Sequence, residues 1–210
     1  MKLSERDYAV DSVAECIAAA AESRAGNYLA FFPSFDYMEK VLKAFRAVAP
    51  ETPAIVQRRS MSSEAREGFL AEFRAERGTS DSLVGFAVLG GILSEGTDLP
   101  GERLVGVIIA GTGMPAITSE RNIMREYFDR TRESGMEYAY TYPGFNSVLQ
   151  AAGRVIRTAS DRGVLILIDS RYAEPGYFRL FPKYWRHIKY TGDPFSLEEI
   201  LRRFWEKQAR

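Results

Sequence analysis

Three polar side chains recur at helical spacing in the segment Gln-Ala-Ala-Gly-Arg-Val-Ile-Arg. On an α-helix Gln150, Arg154 and Arg157 fall within an arc of about 60°. Guanidinium groups form bidentate, charge-assisted hydrogen bonds to phosphate and keep their proton. The stripe therefore predicts a phosphate ligand held against a second surface. The alternative is a solvated helix face with two ordinary arginines.

This segment and two others occur along the chain in the same order as three motifs of a known protein family. Residues 150–157 resemble motif VI of superfamily 2 helicases, in the branch that contains the XPD and DinG helicases. Residues 90–101 (Gly-Gly-Ile-Leu-Ser-Glu-Gly-Thr-Asp-Leu-Pro-Gly) resemble motif V of that branch, and residues 28–35 (Tyr-Leu-Ala-Phe-Phe-Pro-Ser-Phe) resemble its motif IV. The resemblance extends from about Tyr28 to Trp185. It implies the second motor domain of an ATP-dependent DNA helicase that moves 5′ to 3′.

The resemblance implies roles for the motif VI side chains in ATP hydrolysis. In this family the motif VI arginines reach across a cleft to ATP held by a first motor domain. Arg157 matches the arginine finger, Arg154 a second phosphate contact or brace, and Gln150 a residue that orients the phosphate or the attacking water. A finger of this kind accelerates phosphoryl transfer by about 10³ to 10⁵.

In motif V, the resemblance implies contacts to the nucleotide and coupling to DNA. Gly96 permits a close backbone approach to a nucleotide, and the Asp98 carboxylate can accept a hydrogen bond from a ribose hydroxyl. Glu95 is consistent with a role on the DNA-facing side, with pairing to an internal arginine, or with a plain structural loop. Gly90 and Gly91 are expected to form a turn.

Motif IV and the next strand end supply candidate contacts to single-stranded DNA. Ser34 is suited equally to capping a helix and to binding a phosphate. Phe35 is suited equally to stacking on a base and to fastening the helix to the core. Arg58 and Arg59 are candidates for the DNA backbone, although exposed arginines are common.

Two elements of a complete ATPase do not occur in the 210 residues. The sequence holds no Gly-Lys pair, which a phosphate-cradling loop requires, and no acidic magnesium-binding run of the Asp-Glu-x-His type. We therefore expect residues 1–210 to be one domain, with ATP and Mg²⁺ shared with a first motor domain of the same polypeptide that lies outside this chain. Alone it should not hydrolyse ATP. The alternative is a non-catalytic module that binds nucleic acid or protein.

Composition limits which classes of function and cofactor are possible. Basic and acidic residues balance at 28 each, so nucleic-acid binding needs a local patch. The single cysteine, Cys16, excludes a disulfide framework and a four-cysteine iron–sulfur cluster in this segment. His187 has no carboxylate or second histidine at metal-ligand spacing. No long apolar run or signal peptide is evident, which predicts a cytoplasmic or nucleoid-associated protein.

Strand and helix patterns alternate along the chain. The predicted strands are 28–32, 53–57, 82–89, 103–110 and 163–169. The predicted helices are 5–24, 37–48, 62–74, 119–132 and 143–157. This alternation predicts a RecA-like α/β fold, in which helices cover both faces of a mostly parallel sheet. Because ligands bind at the carboxyl ends of such strands, we expect the three motifs to share one edge.

Overall fold

A computed structural model describes residues 7–73, 81–91, 93, 103–155, 162–185 and 187–208 of the chain. Five strands form one sheet in the order β2-β3-β1-β4-β5, and every neighbouring pair is parallel. The strands are β1 (Asn27–Phe32), β2 (Ala54–Val56), β3 (Leu83–Val88), β4 (Gly106–Ala110) and β5 (Val164–Ile168).

Seven α-helices accompany these strands in the described part of the chain. They are α1 (Val10–Ser23), α2 (Phe35–Val48), α3 (Ser63–Ala71), α4 (Ser119–Arg132), α5 (Tyr142–Ala152), α6 (Pro175–Phe178) and α7 (Pro194–Gln208). A π-helical segment, Glu137–Thr141, runs directly into α5. None of these helices is long and apolar enough to cross a membrane.

The central strand β1 shows why the sheet is covered on both sides. All six of its residues are buried. Tyr28 and Phe32 belong to the hydrophobic cluster on one face, whereas Leu29 and Phe31 belong to the cluster on the other. Because successive side chains of a strand point to opposite faces, a continuous apolar run requires cover on both faces. The predicted three-layer arrangement is therefore confirmed.

Each face of the sheet has its own set of helices. The first cluster is built with α1, α2 and α7, through residues such as Ile17, Phe45 and Trp205. The second is built with α3 and α5, through residues such as Phe69 and Val148. Helix α2, between β1 and β2, thus lies on the first face, whereas α5, between β4 and β5, lies on the second. The adjacent carboxyl ends of β1 and β4 are the switch point of the topology, where ligands of open α/β sheets bind.

The predicted strands and helices are present in the structure, with differences at some of their ends. All five strands are present, and α4 has the predicted bounds. The helix predicted over 143–157 instead ends at Ala152. Beyond it the hydrogen bonds shorten to three-residue spacing, from Arg154 N–H to Ala151 O at 3.1 Å and from Val155 N–H to Ala152 O at 3.3 Å. Arg157 lies outside the described residues. The C-terminal helix α7 was not predicted.

Candidate functional site

Helix α5 runs from the side of the sheet where the parallel strands end (the carboxyl edge) to the side where they begin (the amino edge). At its start, a Cβ atom added at Gly113 would lie 2.5 Å from the carbonyl oxygen of Gly144. Past its end, a Cβ atom added at Gly163 would lie 2.5 Å from Val155 Cγ2. Gly113 follows β4, and Gly163 precedes β5. Since these strands are parallel, α5 begins at the carboxyl edge of the sheet and ends at the amino edge.

The two motif VI candidates that the structure describes, Gln150 and Arg154, consequently lie at the amino edge. Gln150 is exposed on the last turn of α5, and Arg154 is half-buried two residues beyond its end. The expectation that all three motifs share one edge is wrong for these two residues. The physical reason is that a helix joining parallel strands must return antiparallel to them, so its last turn lies opposite the carboxyl edge.

Motif V lies in the part of the chain between β3 and β4. Its three candidates, Glu95, Gly96 and Asp98, lie outside the described residues, and their roles stay predictions. On the near side, Gly91 N–H donates to Val88 O at 3.1 Å, which confirms the predicted turn at the carboxyl end of β3. On the far side, the chain re-enters the sheet at the amino end of β4.

Motif IV lies at the carboxyl edge. Some of its side chains stabilise the fold, and exposed polar side chains lie beside them. Ser34 Oγ accepts a hydrogen bond from Tyr37 N–H at 3.3 Å, so the predicted cap of α2 is present. Phe35 is half-buried and packs against the first hydrophobic cluster. The Arg59 guanidinium lies 4.9 Å from the centroid of the Phe35 ring and pairs with the carboxylate of Asp36. The structure therefore brings motif IV and the residues after β2 together.

Arg58 is exposed beside Arg59, directly after the buried Gln57. Unlike the Arg58 side chain, the Gln57 side chain is not available to a ligand, because its Oε1 accepts a hydrogen bond from Val88 N–H at 2.8 Å. The glutamine side chain is thus held inward, whereas Arg58 and Arg59 are both exposed. A cationic surface at this edge is the arrangement that a nucleic-acid backbone requires.

The switch-point crevice contains a residue that the sequence did not single out. A Cβ atom added at Gly111 would lie 3.7 Å from Pro33, so the two strand ends are close. The next residue, Thr112, is buried, and its hydroxyl has no hydrogen-bond partner in the described part of the chain. The sequence signal was the Gly-Thr-Gly run that directly follows an apolar strand. An unpaired hydroxyl at a switch point is a candidate ligand contact.

An ion pair stands beside this crevice at the carboxyl end of β5. Asp169 Oδ2 accepts a hydrogen bond from Arg171 Nη2 at 2.8 Å. Burial raises the pKa of the Asp169 carboxyl, whereas hydrogen bonds to it and the positive charge of Arg171 lower it, and the resulting pKa lies below its ordinary value. Tyr172 Oη donates to Gly111 O at 2.7 Å, which links this loop to the loop after β4.

The available donors suit phosphate better than a metal ion. At the amino edge the candidate side chains are the amide of Gln150 and the guanidinium of Arg154, both of which can donate hydrogen bonds to phosphate oxygens, and neither of which is a carboxylate. Within the described ranges no group of His, Cys, Asp or Glu side chains is arranged to hold a metal. His187 is exposed.

The five-stranded parallel sheet, with helices on both faces and an arginine past the end of α5, has the architecture of a RecA-like motor domain. A family model described as the helicase C-terminal domain matches residues 17–188. The chain therefore belongs to this family.

Relatives in the family are named as helicases. A regulator of telomere elongation helicase 1 homolog from Drosophila sechellia is 30% identical over 84% of this chain and 19% of the relative. A probable ATP-dependent helicase from Methanocaldococcus jannaschii is 29% identical over 71% of this chain and 24% of the relative. The chain thus spans about a fifth to a quarter of the length of these curated relatives.

Solved structures of XPD helicases share the fold. The chain aligns with an XPD structure in the apo form with a TM-score of 0.65 and 22% identity, covering 82% of this chain and 34% of that one. It aligns with the structure of S. tokodaii Xpd4 with a TM-score of 0.60 and 18% identity, covering 87% of this chain and 35% of that one. The RecA-like fold predicted from the sequence is confirmed.

Proposed function

We propose that this chain is the second motor domain of an ATP-dependent DNA helicase that moves 5′ to 3′ along a single strand. ATP hydrolysis is completed by a first motor domain of the same polypeptide. The single observation that carries the proposal is the separation of the candidate residues onto two edges of one rigid sheet, with Arg154 at the amino edge and Arg58 at the carboxyl edge. A motor needs separate surfaces for nucleotide and track, and the sheet provides both.

The amino edge is the nucleotide side in this proposal. Arg154 contacts a phosphate, Arg157 supplies the finger, and Gln150 orients the phosphate or the attacking water. ATP with its Mg²⁺ would supply the transferable phosphoryl group. The residues of this chain bring positive charge to a group that the first domain holds, which favours closure of the cleft while the triphosphate is intact. Gly96, Asp98 and Glu95 carry the coupling between nucleotide and DNA.

The carboxyl edge is the DNA side. Arg58 and Arg59 offer guanidinium groups to the phosphates of a single strand, and Ser34 stands at the N-terminus of α2, where free backbone N–H groups also favour an anion. Phe35 offers part of its ring for stacking on a base. The pairing of Arg59 with Asp36 offsets one positive charge. Arg58 is therefore the principal backbone contact in this proposal.

Binding of a fluorescent oligothymidylate by the 210-residue chain tests the DNA side. We expect Arg58→Ala to weaken binding several-fold and to reduce the slope of log affinity against log salt by about 0.7, as for one lost phosphate contact. Arg154→Ala should bind like the wild type. Arg46→Ala, an exposed arginine on the last turn of α2, is the matched control.

Two outcomes would contradict this assignment. One is a loss of binding in Arg154→Ala that Arg58→Ala does not share, which would place the DNA at the amino edge. The other is a wild-type chain that fails to bind single strands at low salt. That result would favour the alternative, a module of the same fold that binds protein.

A further inference from the structure

Helix α4 stands apart from the two hydrophobic clusters. None of its 14 residues is buried. One side contacts the π-helical segment: the Phe128 ring stacks on Tyr138 with centroids 4.4 Å apart, and Arg121 Nη1 donates to Ala139 O at 2.7 Å. Tyr140 Oη also donates to Asn122 Oδ1 at 2.9 Å. These contacts fix the orientation of α4 about its own axis.

The opposite side of α4 presents large apolar side chains to solvent. Ile123 is 68% exposed, Met124 43% and Tyr127 60%, and Ile117, just before the helix, is 80% exposed. Positions 123, 124 and 127 share one helix face. In a soluble domain such a stripe normally faces the core. A contiguous exposed apolar stripe on a well-anchored helix therefore indicates an interaction surface.

Charges at the two ends of the stripe make this surface complementary to itself. Glu120 lies in the first turn of α4, and Arg130 lies in the last. If two copies of α4 pack antiparallel about a two-fold axis near residue 125, Glu120 faces Arg130 of the second copy. The same register places Ile123 against Tyr127 of the second copy. Opposite charges at the rim and apolar contacts at the centre are the pattern of an isologous interface.

We propose that α4 is a dimerisation helix through which a second copy of this chain packs antiparallel. A helix of this length is about 21 Å long. Two such helices bury less than the roughly 1,200 Å² of a standard stable interface. The dimer is therefore weak, and it forms in a concentration-dependent manner. This inference does not depend on the proposed motor function.

Sedimentation equilibrium of the 210-residue chain over a range reaching about 1 mM tests the proposal, since weak interfaces dissociate at micromolar to millimolar concentrations. We expect a monomer–dimer equilibrium in the wild type. Ile123→Lys, which places a charge at the centre of the stripe, should weaken dimerisation at least tenfold. Circular dichroism confirms that the variant keeps its helix content.

A charge swap tests the register itself. Glu120→Arg and Arg130→Glu should each weaken dimerisation, because each brings like charges together across the two-fold axis. The double variant restores opposite charges and should recover most of the wild-type association. Glu39→Arg is the matched control, since it reverses an exposed glutamate near the start of another helix, α2, and should leave the dimer unchanged.

A wild type that stays monomeric at every concentration overturns the proposal. That result would indicate that the stripe binds a different protein. A dimer that Ile123→Lys leaves intact also overturns it, because the interface then lies elsewhere. A double variant that associates more weakly than either single variant contradicts the antiparallel register.

Discussion

Asp169 and Arg171 form a three-bonded fork at the carboxyl end of β5. Asp169 Oδ1 accepts from the backbone N–H of Arg171 at 3.0 Å and from its Nε at 2.9 Å, and Oδ2 accepts from Nη2 at 2.8 Å. The Asp169 side chain is fully buried, whereas that of Arg171 is 17% exposed. The fork holds the turn that carries Tyr172, whose hydroxyl bonds to the loop after β4. It therefore helps to link the loop after β5 to the loop after β4.

We expect Asp169→Ala to lower the free energy of unfolding by about 3 kcal/mol, because it leaves a largely buried guanidinium without its carboxylate. Urea denaturation measures this change. Glu199→Ala removes the partner of an exposed pair with Arg203 on α7 and should change stability by less than about 0.5 kcal/mol. Equal effects of the two substitutions would contradict a structural role for the fork.

The same fork predicts an acid dependence of stability. The folded-state pKa of Asp169 is lowered, so its contribution is complete above the unfolded pKa of about 3.9 and is lost as the pH falls through the lower folded value. Asp169→Asn lacks this contribution at every pH. The stability difference between wild type and Asp169→Asn should therefore be constant from neutral pH to about pH 5 and shrink below about pH 4. A difference that grows on acidification would contradict this account.

The start of α5 depends on a close approach between two glycines. Gly113 has a φ of +68°, and a Cβ atom there would lie 2.5 Å from Gly144 O. We expect Gly113→Ala to destabilise the fold by about 2 kcal/mol or more through strain and the clash. Gly68→Ala, inside α3 with no atom within 4 Å of the new methyl group, should instead stabilise by about 0.5–1 kcal/mol. Thermal unfolding of both variants checks the contrast, and a neutral Gly113→Ala would contradict it.

Replacing Thr112 is expected to change stability in the opposite direction from Gly113→Ala. Its buried hydroxyl has no hydrogen-bond partner among the described residues, so replacing that hydroxyl by a methyl group of similar shape removes a desolvation penalty. We expect Thr112→Val to be neutral or to stabilise the chain by about 1 kcal/mol in urea denaturation. If Thr112→Val is destabilised by more than about 1 kcal/mol, the hydroxyl has a partner in solution.

Sequence patterns predicted the sheet well, because each strand is a short apolar run with turn residues beside it. The apolar run from Tyr28 to Phe32 is typical of a strand buried on both faces, and the structure has such a strand there. Helix α7 was missed although Leu197, Leu201 and Trp205 bury at helical spacing. Of the aromatic residues between β5 and α7, Tyr172 and Tyr177 pack in the core, whereas Tyr184 is exposed.

The sequence named the candidate residues of the site but not their placement. Spacing implied that Gln150 and Arg154 share a helix face, yet the helix ends at Ala152 and the next turn tightens. Val155, just past this end, is buried, and its Cγ2 would lie 2.5 Å from a Cβ atom added at Gly163, so tertiary contacts that local propensity does not contain act here. The separation of motif VI from motif IV follows from chain direction in three dimensions, which no linear motif contains. The exposed stripe of α4 was equally hidden, since an amphipathic pattern does not say which face is covered.

The most direct test of the account is single-strand-stimulated ATP hydrolysis by a polypeptide that joins this domain to a first motor domain with a Gly-Lys-Ser/Thr loop. Arg157→Ala should lower turnover by at least two orders of magnitude while ATP binding is kept, because a finger acts only on the transition state. Arg162→Ala, an exposed arginine five positions further on, is the matched control and should hydrolyse ATP like the wild type. Unchanged turnover in a folded Arg157→Ala variant would contradict the assignment of motif VI to the nucleotide.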